Sequence, residues 1–300
     1  MENLLKYYYN LKEFEIIKME NNFLILDNND YSYLLYKVND NININNILSI
    51  ISKLRFKSNY GDLMLNVNNN YLSKINDNNY VLILLKGIIN DTISLQEIVK
   101  NNLINRYLKS KDIDLVELWS RKIDYLEYQV SQLSKEKLEV VNSFSFFVGL
   151  AENAISFINI NNINFSNLHQ TLCHTRLKSN NMTIDYYNPL NILVDYDIRD
   201  YAEYLKAKIL ETDDIIKDIN YILDNAKLSD DDIKLLYARL MFPTIYFDVV
   251  EEVLLNETKE KDLEEYIEAI PRYLNMLKDI YIEINKKGIS LDIPNWIIKN

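Results

Sequence analysis

Cysteine occurs once in the chain, histidine twice, and glycine and proline four times each. A lone Cys173 excludes an intrachain disulfide framework and fits a reducing compartment. With so little Gly and Pro, turns fall to Asn and Asp, whose short side chains tolerate left-handed backbone and cap helices. Positive charge is also in deficit: 33 Lys and Arg against 44 Asp and Glu leave a net charge of −11. Nucleic-acid binding needs cations that displace counterions from phosphates. The densest basic run, Lys53-Leu54-Arg55-Phe56-Lys57, reads as a solvated helix end, so no nucleic-acid partner is expected. No stretch approaches the ~18 apolar residues needed to span a bilayer, and the longest apolar run, Val81–Ile89, is broken by Lys86. The N-terminus lacks a basic region followed by an apolar core, so no signal peptide is expected and cytoplasmic is the default location. What is abundant is Asn, Ile, Lys and Tyr, residues with AT-rich codons, so part of this bias is genomic. The 48% of apolar residues suffices for a sizeable core in one large domain or two small ones.

The first ninety residues carry strand periodicity. Phe14–Met19, Phe23–Asp27 and Tyr31–Val38 read as strands, separated by turns at Glu20-Asn21-Asn22 and Asn28-Asn29-Asp30. From Asn43 to Phe56 the period changes: Ile44, Ile47, Leu48, Ile51 and Leu54 recur at three and four, an amphipathic helix. Asp62–Val67, Tyr71–Ile75 and Tyr80–Lys86 return to strand character. Three strands, a helix and further strands is the order of the small lobe of kinase-like folds. In that lobe the first turn is Gly-rich, so that backbone N–H groups approach nucleotide phosphates. Here no Gly occurs before Gly61, and Glu20 would repel phosphate. Lys37 stands where the third strand carries a phosphate-facing Lys, but the helix after it contains no acidic partner. It reads either as that contact or as a surface lysine.

The remaining two thirds read as helix. Ser94-Leu95-Gln96-Glu97 has capping-box spacing, opening a helix to about Lys109. Leu115, Leu118, Trp119, Ile123, Leu126, Val130 and Leu133 form one apolar stripe, and Val141, Phe144, Val148, Ala151, Ile155 and Ile158 another. Both are expected to face a core; Glu152 could face either way. Helical character continues over Asp200–Ala226. Ser229 caps a helix whose first turn carries Asp230, Asp231 and Asp232, which complement the helix dipole and need no metal to explain them. Pro243 starts a helix with Tyr246, Phe247, Val250 and Leu254 inward, Lys259–Lys286 makes the last long one, and the tail from Leu291 to Ile297 runs extended, anchored by Trp296 and Ile297. Residues 87–92 mark a hinge between a β-rich part, 1–90, and a helical part, 91–300.

The chemistry gathers in Leu168–Lys206. Phosphoryl transfer needs a carboxylate to orient the attacking hydroxyl, a carboxylate on the metal, and an Asn or similar group on a second metal. In the kinase-like pattern the base lies two residues after a His. His174 fits the His, Arg176 occupies the base position, Asn181 falls at the Asn, and Asp195 falls at the metal-binding Asp, with Asp197 a weaker substitute. A guanidinium stays protonated and is no base, and losing general-base help costs roughly 10²–10⁴-fold in rate. The span from Asp195 to Asp200 is too short for an ordinary activation segment. Asp200 fits the structural Asp that opens a helix and holds the catalytic loop by hydrogen bonds. His169, Cys173 and His174 fall within six residues of an apolar segment. That is a poor match to the three or four convergent ligands zinc requires, so core packing is expected of Cys173 and His174.

Several of these motifs resemble the kinase-like spore-coat proteins of the YutH type, within the aminoglycoside-phosphotransferase-like and choline-kinase-like group. They are Leu172-Cys173-His174-Thr175-Arg176-Leu177 and Arg199-Asp200-Tyr201-Ala202-Glu203-Tyr204-Leu205, supported by Trp119-Ser120-Arg121, Gly149–Ala154, Phe242-Pro243 and the Ile293-Pro294 tail. The order is collinear over about residues 115–297. The resemblance implies an α+β, two-lobed protein-kinase-like fold: a small antiparallel β lobe with one helix, and a large mostly helical lobe. It also implies an association with the spore coat or sporulation proteins. The expectation is a catalytically degenerate kinase-like protein that works by binding, with no cofactor. The alternative is a divergent small-molecule phosphotransferase using ATP, with Asp195 or Asp197 holding Mg and Lys37 holding phosphate.

Overall fold

A computed structural model describes residues 2–19, 22–27, 31–39, 42–54, 59–75, 78–86, 92–109, 113–177, 183–212 and 214–299. In chain order its elements begin with α1 (Glu2–Tyr9), β1 (Phe14–Lys18), β2 (Phe23–Asp27), β3 (Ser32–Val38), α2 (Ile44–Lys53), β4 (Asp62–Leu63), β5 (Leu72–Ile75) and β6 (Asn78–Leu85). There follow α3 (Leu95–Asn105), α4 (Leu115–Leu133), α5 (Leu138–Ile160), β7 (Gln170–His174), α6 (Thr183–Tyr186), β8 (Ile192–Tyr196) and α7 (Ile198–Lys208). Then come α8 (Ile216–Asn225), α9 (Asp230–Met241), α10 (Thr244–Leu254), α11 (Glu264–Glu268), α12 (Ile270–Lys286) and α13 (Asn295–Lys299). They form two compact units: Met1–Ser94 with Asn180–Leu193, and Leu95–Ser179 with Val194–Asn300.

The first unit is an antiparallel sheet in the order β1-β2-β3-β6-β4, with β5 also pairing β6. Alternation along β3 and β6 sorts their side chains to two faces. Leu35 and Leu82 join Leu5, Ile25 and Ile75 on one face, whereas Leu34, Val81 and Ile83 join Val38 and Ile184 on the other. Both faces are therefore buried, and each needs a cover. The short helix α1, which places Leu5 fully in the core, covers the first. It adds a second helix to the single one expected for this lobe. Its eight residues are too few to show more than two turns of pattern, and the Leu-Leu-Lys-Tyr-Tyr-Tyr run reads equally as strand. α2 lies on the second face, starting at Asn43, whose side chain accepts from the Asn46 N–H at 3.0 Å. Its expected extension to Phe56, and the basic run 53–57, pass beyond the described residues.

The strand expected at Asp62–Val67 shrinks to two residues. Asn66 ends it by accepting from the backbone N–H groups of Asn68 and Asn70 while its amide donates to Leu72 O, an Asx-type turn that competes with the ladder. Glu20, Asn21 and residues 87–91, the turn and most of the hinge singled out above, lie outside the described residues.

The second unit is helical around the two-stranded sheet β7-β8. α5 packs on α4 and α9, and α9 on α7 and α12. The expected stripe on α4 holds for Leu115, Trp119, Ile123 and Leu126, but Leu118 and Leu133 are exposed; on α5 Val140 is buried and Val141 exposed. Leu118 lies about 100° around the helix from Trp119 and off the buried face, and Leu133 is the last residue of α4. Glu152 faces solvent. α5 is long and apolar enough to cross a membrane, which no run of consecutive apolar residues indicated, yet half of its apolar window is buried inside the protein. The last helix is not continuous: a 3₁₀ turn at Glu260–Leu263, α11 and α12 divide it, with Pro271 in the first turn of α12, where it cannot continue a preceding helix. The tail is anchored by Leu291 and Ile297, while Trp296 is only half-buried.

Candidate functional site

β7 ends at His174 and β8 carries Asp195, so the pairing of the two strands brings together the two halves of the motif. Asp200, in the first turn of α7 and fully buried, accepts from the backbone N–H of His174 at 2.9 Å and meets its ring Nδ1 at 2.8 Å. One carboxylate thus fixes both the backbone and the imidazole at the start of the loop. Arg199, the residue before it, donates from Nε to His174 O at 3.0 Å and from Nη2 to Thr175 O at 2.9 Å. The loop is tied down along its first residues.

Asp195 is buried and heavily engaged. Its Oδ2 accepts from Arg199 Nη1 at 2.7 Å and from Arg239 Nη2 at 2.9 Å; its Oδ1 accepts from Arg239 Nη2 at 3.0 Å and from the Tyr196 N–H at 2.7 Å. Burial pushes the carboxyl pKa up, but Arg239 and Arg199 outweigh burial and hold it below the usual carboxylate range. Both oxygens are occupied by guanidinium cations, which is the opposite of the open coordination a magnesium ion needs. Asp197, fully buried at the N-cap of α7, pairs with Arg106 at 2.5 Å. Among the described residues no group of three His, Cys, Asp or Glu side chains suits a metal ion.

Arg176 follows β7, half-buried, and does not reach Asp195. Its Nε and Nη2 both meet Asp248 of α10 at 2.5 Å, and its Nη1 donates to Thr175 O at 2.8 Å. Asn181 lies outside the described residues. Lys37 is exposed in β3, opposite Tyr80, with its backbone N–H on Asn22 Oδ1 at 3.0 Å. By alternation its side chain shares the face of Leu35, whereas α2 covers the face of Leu34. Cys173 is fully buried, its thiol pushed well up by burial, and it donates to Tyr196 O at 3.4 Å. His169 meets Asp232 through Nδ1 at 2.7 Å, so neither residue pairs with the other as a nucleophile and its base.

The structure brings in further charged residues that have no assigned role in the kinase-like pattern. Glu203 and Lys206 form an ion pair at 2.8 Å with both side chains almost fully buried. Burial opposes the charge on each; beside Lys206 and Arg176 the Glu203 carboxyl still lies low, and the Lys206 amine is lowered by burial. Leu115, Trp119, Lys122, Arg176, Arg199, Glu203, Arg239, Phe242 and Asp248 line a pocket of about 240 Å³ within the second unit. Arg239 and Asp248 carry no local sequence signal, lying 44 residues beyond Asp195 and 72 beyond Arg176 respectively.

The profile of a family described as spore coat putative kinase YutH matches residues 2–281. The endospore coat-associated protein YutH of Bacillus subtilis (strain 168) is 26% identical over 206 residues, a match that spans 61% of this chain and 61% of that protein. Among solved structures, an aminoglycoside phosphotransferase from Alicyclobacillus acidocaldarius superposes with a TM-score of 0.67 at 9% identity, covering 95% of this chain and 96% of that one. The amicoumacin kinase solved with AMP-PNP, Ca2+ and Ami gives a TM-score of 0.55 at 11% identity, covering 98% and 94%. A spectinomycin phosphotransferase solved with ADP and spectinomycin gives 0.55 at 11%, covering 95% and 97%. At these identities the likeness is one of fold: an α+β, protein-kinase-like fold of the aminoglycoside-phosphotransferase kind.

Proposed function

The chain belongs to the spore coat putative kinase YutH family, and from that premise we propose that it is a catalytically degenerate member that works by binding. The observation that carries the reading is the closure of Asp195 by Arg199 and Arg239. A kinase needs this carboxylate open to a metal; here two cations fill it. Arg176 is in turn spent on Asp248, and Lys37 faces away from the helix that would carry its partner. The competing reading, a magnesium-dependent phosphotransferase, requires both arginines to release Asp195, leaving two buried guanidinium groups without their charge partner. Breaking a buried pair in this way costs about 3–5 kcal/mol.

Titration with ATP and magnesium followed by thermal unfolding separates the two readings. The expected result is no shift in Tm. A shift of several degrees that Asp195→Asn abolishes overturns the nucleotide-free form of this reading, and magnesium-dependent ATP turnover overturns the binding-only reading itself.

The protein partner is a coat or sporulation protein, by extension from the coat association named for the family and for the Bacillus relative. Fractionation of spores from a sporulating host is expected to recover the chain with the coat extract. Recovery only in the core fraction overturns this part.

A further inference from the structure

We propose that the pocket of the second unit binds a small aromatic carboxylate. This deepens the reading above, and rests on it, by naming the ligand class of the region around Arg176.

Three observations converge on that class. The floor is aromatic: Trp119 stacks on Phe242 with ring centroids 4.4 Å apart, and the fully buried Phe247 backs Phe242 edge-on at 5.5 Å. A floor of this kind favours a flat apolar body. The charged lining holds Lys122, Arg176, Arg199 and Arg239, and each is ion-paired: Lys122 to Glu251, Arg176 to Asp248, and Arg199 and Arg239 together to the single carboxylate of Asp195. Glu203 pairs with Lys206, so the shared carboxylate leaves one cationic charge uncompensated. A polycation is repelled there and an anion favoured.

Donors also remain. A guanidinium carries five N–H groups. Arg176 and Arg199 each spend one proton of Nε, Nη1 and Nη2 on the partners named above, so the second proton on each terminal nitrogen is left. Arg239, whose side chain is only 8% exposed, has no partner for Nε. Arginine forks match the two oxygens of a carboxylate. Arg176 and Lys122 are half-buried beside the exposed Leu118, and so form the mouth. A pocket of about 240 Å³, smaller than the roughly 300–1,000 Å³ of ordinary ligand sites, limits the ligand to a single ring with its acid group.

The test uses the full chain and calorimetric titration with phenylacetate. Its neutral isostere 2-phenylethanol, inorganic phosphate and the polycation kanamycin serve as comparators. Phenylacetate is expected to bind at least 10-fold more tightly than any of the three. Arg176→Gln and Lys122→Gln, both at the mouth and away from the buried floor, are expected to weaken it at least 10-fold together, with far-UV circular dichroism and Tm retained.

Phenylacetate binding no better than 2-phenylethanol, or untouched by the two substitutions, overturns the proposal. So does kanamycin as the preferred ligand. The parallel ATP titration keeps the two readings apart. Phenylacetate binding together with magnesium-dependent ATP turnover sinks the binding-only reading and leaves the pocket standing. No phenylacetate binding and no turnover sinks the pocket alone.

Discussion

Asp197 is a carboxylate held where a charge is costly. It has no exposure, and its Oδ1 has no hydrogen-bond partner. Burial pushes its pKa up to about 7; Arg106, in the turn after α3, pulls it back, Asp232 from α9 pushes it further, and His169 lowers it slightly. Asp200 and Tyr201 face the same cluster from α7 itself. The folded state thus keeps the proton between about pH 4 and 7, where the unfolded chain has lost it. The native state binds more protons across that window, so this group's contribution to stability falls as pH rises through it and is level above. Asp195 and Glu203 are held low. Theirs is the opposite sign: their contribution is lost only as pH drops below the ordinary carboxylate range. The expected outcome in urea unfolding is that wild type loses stability relative to Asp197→Asn between pH 4 and 7, by on the order of a few kcal/mol. A difference that stays constant across the window means that Asp197 is ionised throughout, as the partner of Arg106.

At the scale of elements, what was legible followed from periodicity. α4 opens and closes at the ends of its apolar stripe, and α9 opens at Ser229 through a complete capping box with Asp232, as [S/T]-x-x-[D/E] spacing indicates. The β1-β2-β3 meander was readable because Asn and Asp clusters break three β-branched, aromatic runs. Illegible were the elements whose reason is tertiary. α1 covers the sheet's first face, and which of Val140 and Val141 turns inward depends on the helices packed around α5.

The same holds for the site. His174, Arg176, Asp195 and Asp200 share one stretch and could be read together. Arg239 and Asp248 reach it from other helices and Arg106 from the turn after α3, and no local spacing announces them. That is why Asp195 could be read as a free ligand for a metal, without sight of the two arginines that meet it.

At the scale of the whole molecule, the chain returns late to complete its first unit. Residues 180–193 belong with Met1–Ser94, which a linear division at residue 90 does not assign. Ile184 is 5% exposed and packs with Leu34, Val81 and Ile83, and Leu190 packs against the same cluster. The Gly61 N–H donates to Tyr187 O at 3.1 Å, and the Tyr60 ring meets that of Tyr187 edge-on at 5.2 Å. Gly61 is needed for the approach, since a Cβ there would run into Ile83 Cγ2 and press on Leu84 O.

Each fully buried aliphatic side chain contributes about 1.5–3 kcal/mol, against a total stability of roughly 5–15 kcal/mol for a whole domain. A sheet deprived of Ile184, Leu190 and the Tyr187 contacts therefore loses a large share of that total. The fragment 1–94 alone is expected to show no cooperative thermal transition by circular dichroism. The same fragment carrying residues 183–193 on a flexible Gly-Ser linker is expected to regain one. A cooperative transition in the bare fragment means that α2 alone seals the second face. A linked fragment that still fails to fold means that the segment contributes less than its burial implies, and that the first unit depends on the rest of the chain for its stability.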